Sequence, residues 1–216
     1  MADLNSTYFT VDDTWTGGYY ELSLEIGPYS DDPLFDALKV LWKHPSLEGC
    51  YLDRTKEPDD QVRYNPVAEM YYQQGMYSSF HMHGIATLPN GSRIACGSCF
   101  VREYFAGSTS NEDAPDWLIF YLPMGALAQT FDVGGYPFEI KVKSSEIWQK
   151  SVEDYLAELG KYVFAESPFR LGLIGHEVSG TQYAGEITEQ GIPDARYIGY
   201  LWPQNGKLNY FPRNEP

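Results

Sequence analysis

The order of predicted secondary-structure elements repeats along the chain, and this repeat limits the fold more than any other feature of the sequence. Residues 19–100 predict strand, helix, strand and strand, and residues 117–202 predict the same series again. The two halves, about 19–105 and 116–212, show no obvious residue-level identity, so the order has two interpretations. One is a true internal repeat within a single domain spanning 1–216, and the other is an ordinary α+β arrangement. Both predict an α+β fold with a mixed, mostly antiparallel sheet and two principal helices.

Apolar spacing places the main elements of this fold. Residues 19–26 alternate aliphatic with polar side chains, which predicts a half-buried strand. Residues 117–122 are apolar throughout, which predicts a central strand buried on both faces. Apolar side chains recur at helical spacing near 33–44 and 145–166. Each of these helices carries one apolar stripe, so each is expected to cover the sheet.

Two Asn-Gly pairs, Asn90-Gly91 and Asn205-Gly206, lie between apolar runs and predict β-hairpins. If the first hairpin has a two-residue loop, Cys96 opposes Ile85 and lies diagonal to His83. In this register one sheet face carries His81, His83, Cys96 and Ser98, whereas Cys99 lies on the other face beside Met82.

One interpretation of this shared face is a metal site. Alternation along a strand places the imidazoles of His81 and His83 on the same face, with Cβ atoms about 7 Å apart. Zinc needs further ligands besides these two histidines and Cys96, and His176 and Glu177 are the candidates if their strand is a neighbour. The competing interpretation is that the histidines form hydrogen bonds within a polar sheet face, and because the ligand count is incomplete we expect no bound transition metal.

Other catalytic and cofactor motifs are missing from the sequence. There is no Gly-x-Ser-x-Gly nucleophile elbow, no P-loop and no Gly-x-Gly-x-x-Gly fingerprint. Cys96-Gly97-Ser98-Cys99 has the spelling of a redox motif, but a predicted strand places its two thiols on opposite faces. We therefore expect no cofactor and favour a protein without catalytic activity.

The charge of the chain indicates the kind of partner. Asp and Glu number 30 against 15 Lys and Arg, a net charge of −15. The excess acid is spread along the chain, since residues 1–65 hold 13 acids and 5 bases and residues 66–216 hold 17 and 10. Such a field repels nucleic acid and anionic membranes and attracts a basic protein. The simpler interpretation is that the charge serves solubility.

Aromatic side chains next to acids add to this pattern. The chain has 18 tyrosines, and Tyr rings with a wet hydroxyl suit contact surfaces as well as strands. Tyr8 and Phe9 precede Asp12 and Asp13, and further aromatics lie beside acids near 51–72. The predicted binding residues are Tyr51, Asp53, Asp59, Asp60, Tyr71 and Tyr72.

Together these features predict a non-catalytic, acidic protein-binding protein, for example an inhibitor or immunity-type protein that neutralises a basic toxin or nuclease. The alternatives are a metal-dependent hydrolase that uses the four residues His81, His83, His176 and Glu177, and a structural or assembly subunit. We expect a monomer or a homodimer. Residues 1–13 lack the basic and apolar regions of a secretory signal, and the three cysteines are an odd count, so the sequence predicts a cytoplasmic location.

Overall fold

A computed structural model of the protein describes residues 5–28, 31–65, 79–102, 115–133 and 143–215. Within these residues nine strands form one sheet. The strands are β1 (Asn5–Ser6), β2 (Tyr19–Pro28), β3 (Leu47–Tyr51), β4 (Ser79–Thr87), β5 (Arg93–Arg102), β6 (Pro115–Pro123), β7 (Leu171–His176), β8 (Gly199–Gln204) and β9 (Lys207–Phe211). Their order is β3-β4-β5-β6-β2-β7-β8-β9, all antiparallel, and β1 adds a short parallel pairing with the start of β5. The predicted α+β class with a mixed, mostly antiparallel sheet is confirmed.

Four helices accompany the sheet in the described residues: α1 (Asp31–Leu41), α2 (Met124–Ala128), α3 (Lys143–Glu166) and α4 (Ala184–Gln190). The two principal helices, α1 and α3, match the predicted helices. They contact each other and pack on the same face of the sheet, where their apolar stripes form the main core. No helix in the described ranges is both long and apolar enough to cross a membrane.

The centre of the sheet is buried on both faces. Every residue of β6 is buried, as its unbroken apolar run predicts, and β6 lies between β5 and β2. The strand predicted at 19–26 is present as β2, but it is not half-buried, because its polar side chains are buried as well. Glu21 accepts a hydrogen bond from the Ser179 amide at 2.6 Å, and Glu25 accepts one from the Ala184 amide at 2.7 Å. The segment after β7 therefore covers the second face and satisfies these carboxylates, with α4 above a smaller apolar cluster.

Loop length decides the register of the two hairpins. Asn205 and Gly206 form a two-residue turn with φ of 53° and 74°, the positive values that a type I′ turn requires. In the first hairpin, Leu88 and Ser92 are joined by a hydrogen bond, so the loop has three residues and Gly91 adopts a φ of 84°. The extra loop residue shifts the β4–β5 pairing by one position relative to the prediction.

This shift moves every side chain of β5 to the opposite face. Cys96 pairs with Gly84, Gly97 pairs with His83, and Cys99 pairs with His81. The predicted grouping of Cys96 and Ser98 with the two histidines is therefore wrong, as is the placement of Cys99 beside Met82. Cys96 and Cys99 do lie on opposite faces, because that follows from their spacing alone.

Both predicted halves contribute to the one sheet. β2 and β6 pair at its centre, and each is flanked by three strands that come from one half of the chain. The strand nearest to β6 is β5, the last of its group, whereas the strand nearest to β2 is β7, the first of its group. The two groups of three strands are thus joined to the central pair in opposite orders. An internal repeat stays a prediction.

Candidate protein-binding surface

The loop that follows β3 is closed at its base and braced inside. The Tyr64 amide donates to the Cys50 carbonyl at 2.8 Å, and the Cys50 amide donates to the Tyr64 carbonyl at 3.2 Å. Within the loop, Gln61 accepts from the Asp53 amide and donates to the carbonyls of Asp53 and Lys56, at 3.1, 2.7 and 2.9 Å. These bonds give residues 52–63, the 52–63 loop, a defined shape although only a short 3₁₀ turn, Pro58–Asp60, lies within it.

The N-terminal segment, residues 8–16, is attached to this loop through Glu57. The Glu57 carboxylate accepts from the amides of Phe9 and Thr10 at 2.9 and 3.0 Å, and from the Thr10 hydroxyl. Partial burial opposes ionisation of Glu57, but the bonds from Thr10 and Phe9 outweigh it and lower the pKa of the carboxyl group. Glu57 is therefore a charged acceptor under the segment at neutral pH.

Phe9 anchors the same segment in an aromatic cage, which consists of Trp15, Tyr51 and His83. Its ring is buried and lies 5.7 Å from Trp15, 5.8 Å from Tyr51 and 6.2 Å from His83, between ring centroids. The Trp15 indole donates to the Phe9 carbonyl at 2.7 Å, and its ring packs edge-on against His83 at 5.2 Å. Edge-to-face pairs of this kind are favourable, so the segment is held by packing as well as by Glu57.

The N-terminal segment and the residues at the end of the 52–63 loop carry exposed apolar side chains. Six large hydrophobic residues are exposed in the part of the chain that the structure describes. Four of them lie here and are named the apolar strip: Tyr8, Val11, Val62 and Tyr64, at 55, 43, 66 and 38% exposure. This concentration on two joined segments distinguishes the strip from scattered surface hydrophobics, which are common.

Aspartates without ion-pair partners border the strip. Asp12 and Asp13 follow Val11, and Asp59 and Asp60 precede Val62; all four are exposed. No ion pair involves them within the described residues, where ion pairs occur at seven other sites. Asp53 differs, because hydrogen bonds from Thr55 and Lys56 lower the pKa of its carboxyl group to about 2. The four unpaired aspartates leave negative charge available to a partner.

Only some of the predicted binding residues lie on this surface. Asp53, Asp59 and Asp60 all lie on the 52–63 loop, but Tyr51 is buried and forms a wall of the aromatic cage. Tyr71 and Tyr72 lie outside the described residues. The contribution of Val62 and Tyr64 was missed, although the sequence places them two and four residues after Asp60.

The predicted metal ligands do not come together. His81 and His83 share a face, with ring centroids 6.4 Å apart and planes at 14°. Cys96 points to the opposite face, and the strand that carries His176 and Glu177 is separated from β4 by three others, roughly 19 Å at the usual strand spacing. Among the described residues, no group of three or more His, Cys, Asp or Glu side chains is arranged to hold a metal ion.

His83 instead packs beneath the N-terminal segment, against Phe9 and Trp15, and His81 stacks against His83. His81 Nδ1 lies 3.1 Å from the Tyr121 hydroxyl, whereas His83 Nδ1 is buried and has no hydrogen-bond partner among the described residues. Burial, together with the nearby His81 and Arg54, lowers the pKa of His83 to about 4. At neutral pH His83 is therefore uncharged and packs as an aromatic ring.

The cysteines offer no activated nucleophile. All three are buried and free of disulfides. Burial raises the pKa of Cys50 and Cys96 well above the usual value, and burial together with the negative charge of Glu21 raises that of Cys99 to about 12. The protonated thiols act as small apolar groups of the core.

Comparisons of the chain with protein-family models, with curated proteins and with solved structures found no match.

Proposed function

We propose that this protein is a non-catalytic binding protein whose apolar strip contacts a basic protein. Its activity is that of an inhibitor or immunity-type protein, which neutralises a basic toxin or nuclease. The observation that carries the proposal is that four exposed apolar side chains lie on two joined segments, beside two pairs of exposed aspartates that form no ion pair within the described residues. This arrangement has the two parts of a protein interface, an apolar centre and a charged border.

The chemistry of the surface defines the partner. Tyr8, Val11, Val62 and Tyr64 gain free energy when a partner removes them from water, so they need an apolar counterpart. The aspartates at 12, 13, 59 and 60 favour Lys or Arg around that counterpart. A matching partner therefore presents an apolar patch that is flanked by basic side chains.

The inhibitor activity follows from where such patches occur. Nucleases bind phosphates with Lys and Arg, so the surface around a nuclease active site is basic. An acidic protein that docks there covers the site, and its net charge of −15 speeds the encounter through long-range attraction. The assignment of an inhibitor activity rests on analogy between classes of protein.

The experiment is affinity capture from a lysate of the source cells, followed by association kinetics with the captured protein. Between about 0.01 M and 0.15 M ionic strength the screening length falls from roughly 30 Å to 8 Å. The association rate should fall over this range while the dissociation rate changes little. An association rate that ignores salt would leave the net charge as a solubility device and would contradict the proposal.

Variants separate the proposed surface from the general charge. Asp59→Asn/Asp60→Asn should slow association, and Val62→Ala should speed dissociation because it removes an apolar contact. The matched control is Asp154→Asn/Glu158→Gln, which removes the same two charges from exposed positions on α3. If the control slows association as much as the loop variant does, the 52–63 loop is not the contact surface.

Metal analysis tests the competing hydrolase function on the same protein. One equivalent of zinc that is lost in a His83→Ala variant would favour the hydrolase and contradict the present proposal.

A further inference from the structure

The apolar strip consists of two segments that are distant in sequence, and one carboxylate joins them. Tyr8 and Val11 directly flank Phe9 and Thr10, whose amides both donate to Glu57. Val62 and Tyr64 lie at the end of the loop that carries Glu57. The carboxylate is therefore a direct link between the two segments that carry the strip.

Other contacts also hold the N-terminal segment. β1, just before it, pairs with β5, and Arg54 of the 52–63 loop lies over the Trp15 ring, 6.0 Å from its centroid. The Phe9 ring inserts into the aromatic cage, and the Trp15 indole donates to the Phe9 carbonyl. Within the described residues none of these contacts engages the amides of Phe9 and Thr10, which donate to Glu57. A carboxylate suits this task, because it can accept several hydrogen bonds and donates none.

We infer that Glu57 is a positioning residue, which holds residues 8–11 against the 52–63 loop so that the apolar strip exists as one preformed surface before any partner binds. The inference rests on the proposed function for its partner and on the hydrogen bonds for its mechanism. A preformed surface loses less conformational entropy on binding, so affinity depends on the fraction of molecules in which the segment is docked.

The first measurement needs no partner. Glu57→Lys replaces the acceptor with a donor. Asp60→Lys makes the same charge change in the same loop, at a carboxylate that accepts no hydrogen bond in the part of the chain that the structure describes. Amide hydrogen exchange at Phe9 and Thr10 should become at least about 10-fold faster in Glu57→Lys, as expected when bonds to a charged acceptor are lost. In Asp60→Lys it should stay within about twofold of the wild type. Unchanged exchange in Glu57→Lys would overturn the inference.

The second measurement uses the protein recovered by the affinity capture described above. Both variants lose affinity through charge, but Glu57→Lys should lose more than Asp60→Lys, by a factor equal to the reciprocal of its docked fraction. The unfolding midpoint of each variant in urea reports the stability of the whole fold separately. Equal losses of affinity would show that only charge matters, and would overturn the preformed surface while the proposed function stands. If no salt-sensitive partner is captured, the proposed function fails, and exchange at Phe9 and Thr10 still supports or overturns the positioning of the segment.

Discussion

Acid should destabilise this protein through His83, the histidine beneath the N-terminal segment. Its side chain is 6% exposed, and its pKa of about 4 compares with 6.5 for an unperturbed histidine. Between these values the unfolded chain binds a proton that the folded chain does not, so the free energy of unfolding falls as pH falls. The effect is absent above about pH 6.5 and complete below about pH 4. At 1.36 kcal/mol per pKa unit, the difference amounts to about 3 kcal/mol.

The assay is urea denaturation followed by tryptophan fluorescence, at several pH values between about 7.5 and 4. Other buried groups act in the opposite direction, because burial raises the pKa of Glu21 and Glu153 and their contribution is lost as pH rises. The effect of His83 is therefore read as the difference between the wild type and His83→Phe. This difference should shift by about 3 kcal/mol in favour of the variant on acidification.

The control is Ile85→Val, a buried residue on the same face of β4 that does not titrate. This substitution should lower the free energy of unfolding by about 1 kcal/mol at every pH, so its plot of unfolding free energy against pH should run parallel to that of the wild type. If the His83→Phe curve is also parallel to the wild type, the imidazole is not held in its neutral form by the cage, and the reasoning is refuted.

Two further predictions concern packing and buried charge. Gly97→Ala would place a Cβ 2.4 Å from Cζ and from the hydroxyl oxygen of Tyr121 and should destabilise the fold by about 1–3 kcal/mol in denaturant titrations. The matched Gly185→Ala in α4 meets no atom within 4 Å and should be neutral or stabilising, so equal losses would contradict the packing argument. Arg213→Ala removes the cation that bonds Glu153 at 2.9 Å and leaves that carboxylate buried; it should cost about 3 kcal/mol by the same titration, and a neutral outcome would show that water reaches the site.

The sequence allowed the elements to be predicted because their signals are local. Apolar spacing within about ten residues places α1, α3 and β6, and Asn205-Gly206 defines its own turn. The register of β4 and β5 could not be read in this way, since it depends on whether the loop uses two residues or three. That single residue decides which face Cys96 occupies, so the predicted grouping of Cys96 with the two histidines was wrong although both histidines were placed on one face.

The buried carboxylates and the candidate surface depend on contacts that are distant in sequence. In the sequence pattern Glu21 resembles an outward residue of a half-buried strand. In the fold it is buried, and it accepts a hydrogen bond from the amide of Ser179, 158 positions later. The apolar strip likewise requires Glu57 to bond Phe9, 48 positions away. The acid pairs and neighbouring aromatics indicated where to look, but their grouping is a product of the fold.

The position of β2 at the centre of the sheet has a consequence for synthesis of the chain. Tyr20 pairs with Leu122 on one side and with His176 on the other, so β2 has no strand partner until its distant neighbours have left the ribosome. During translation this strand stays unpaired until β6, which begins 87 residues after the end of β2, has been added. Folding is therefore expected to be late, slow and dependent on the last third of the chain, and the nascent protein exposes an edge on which other chains can assemble.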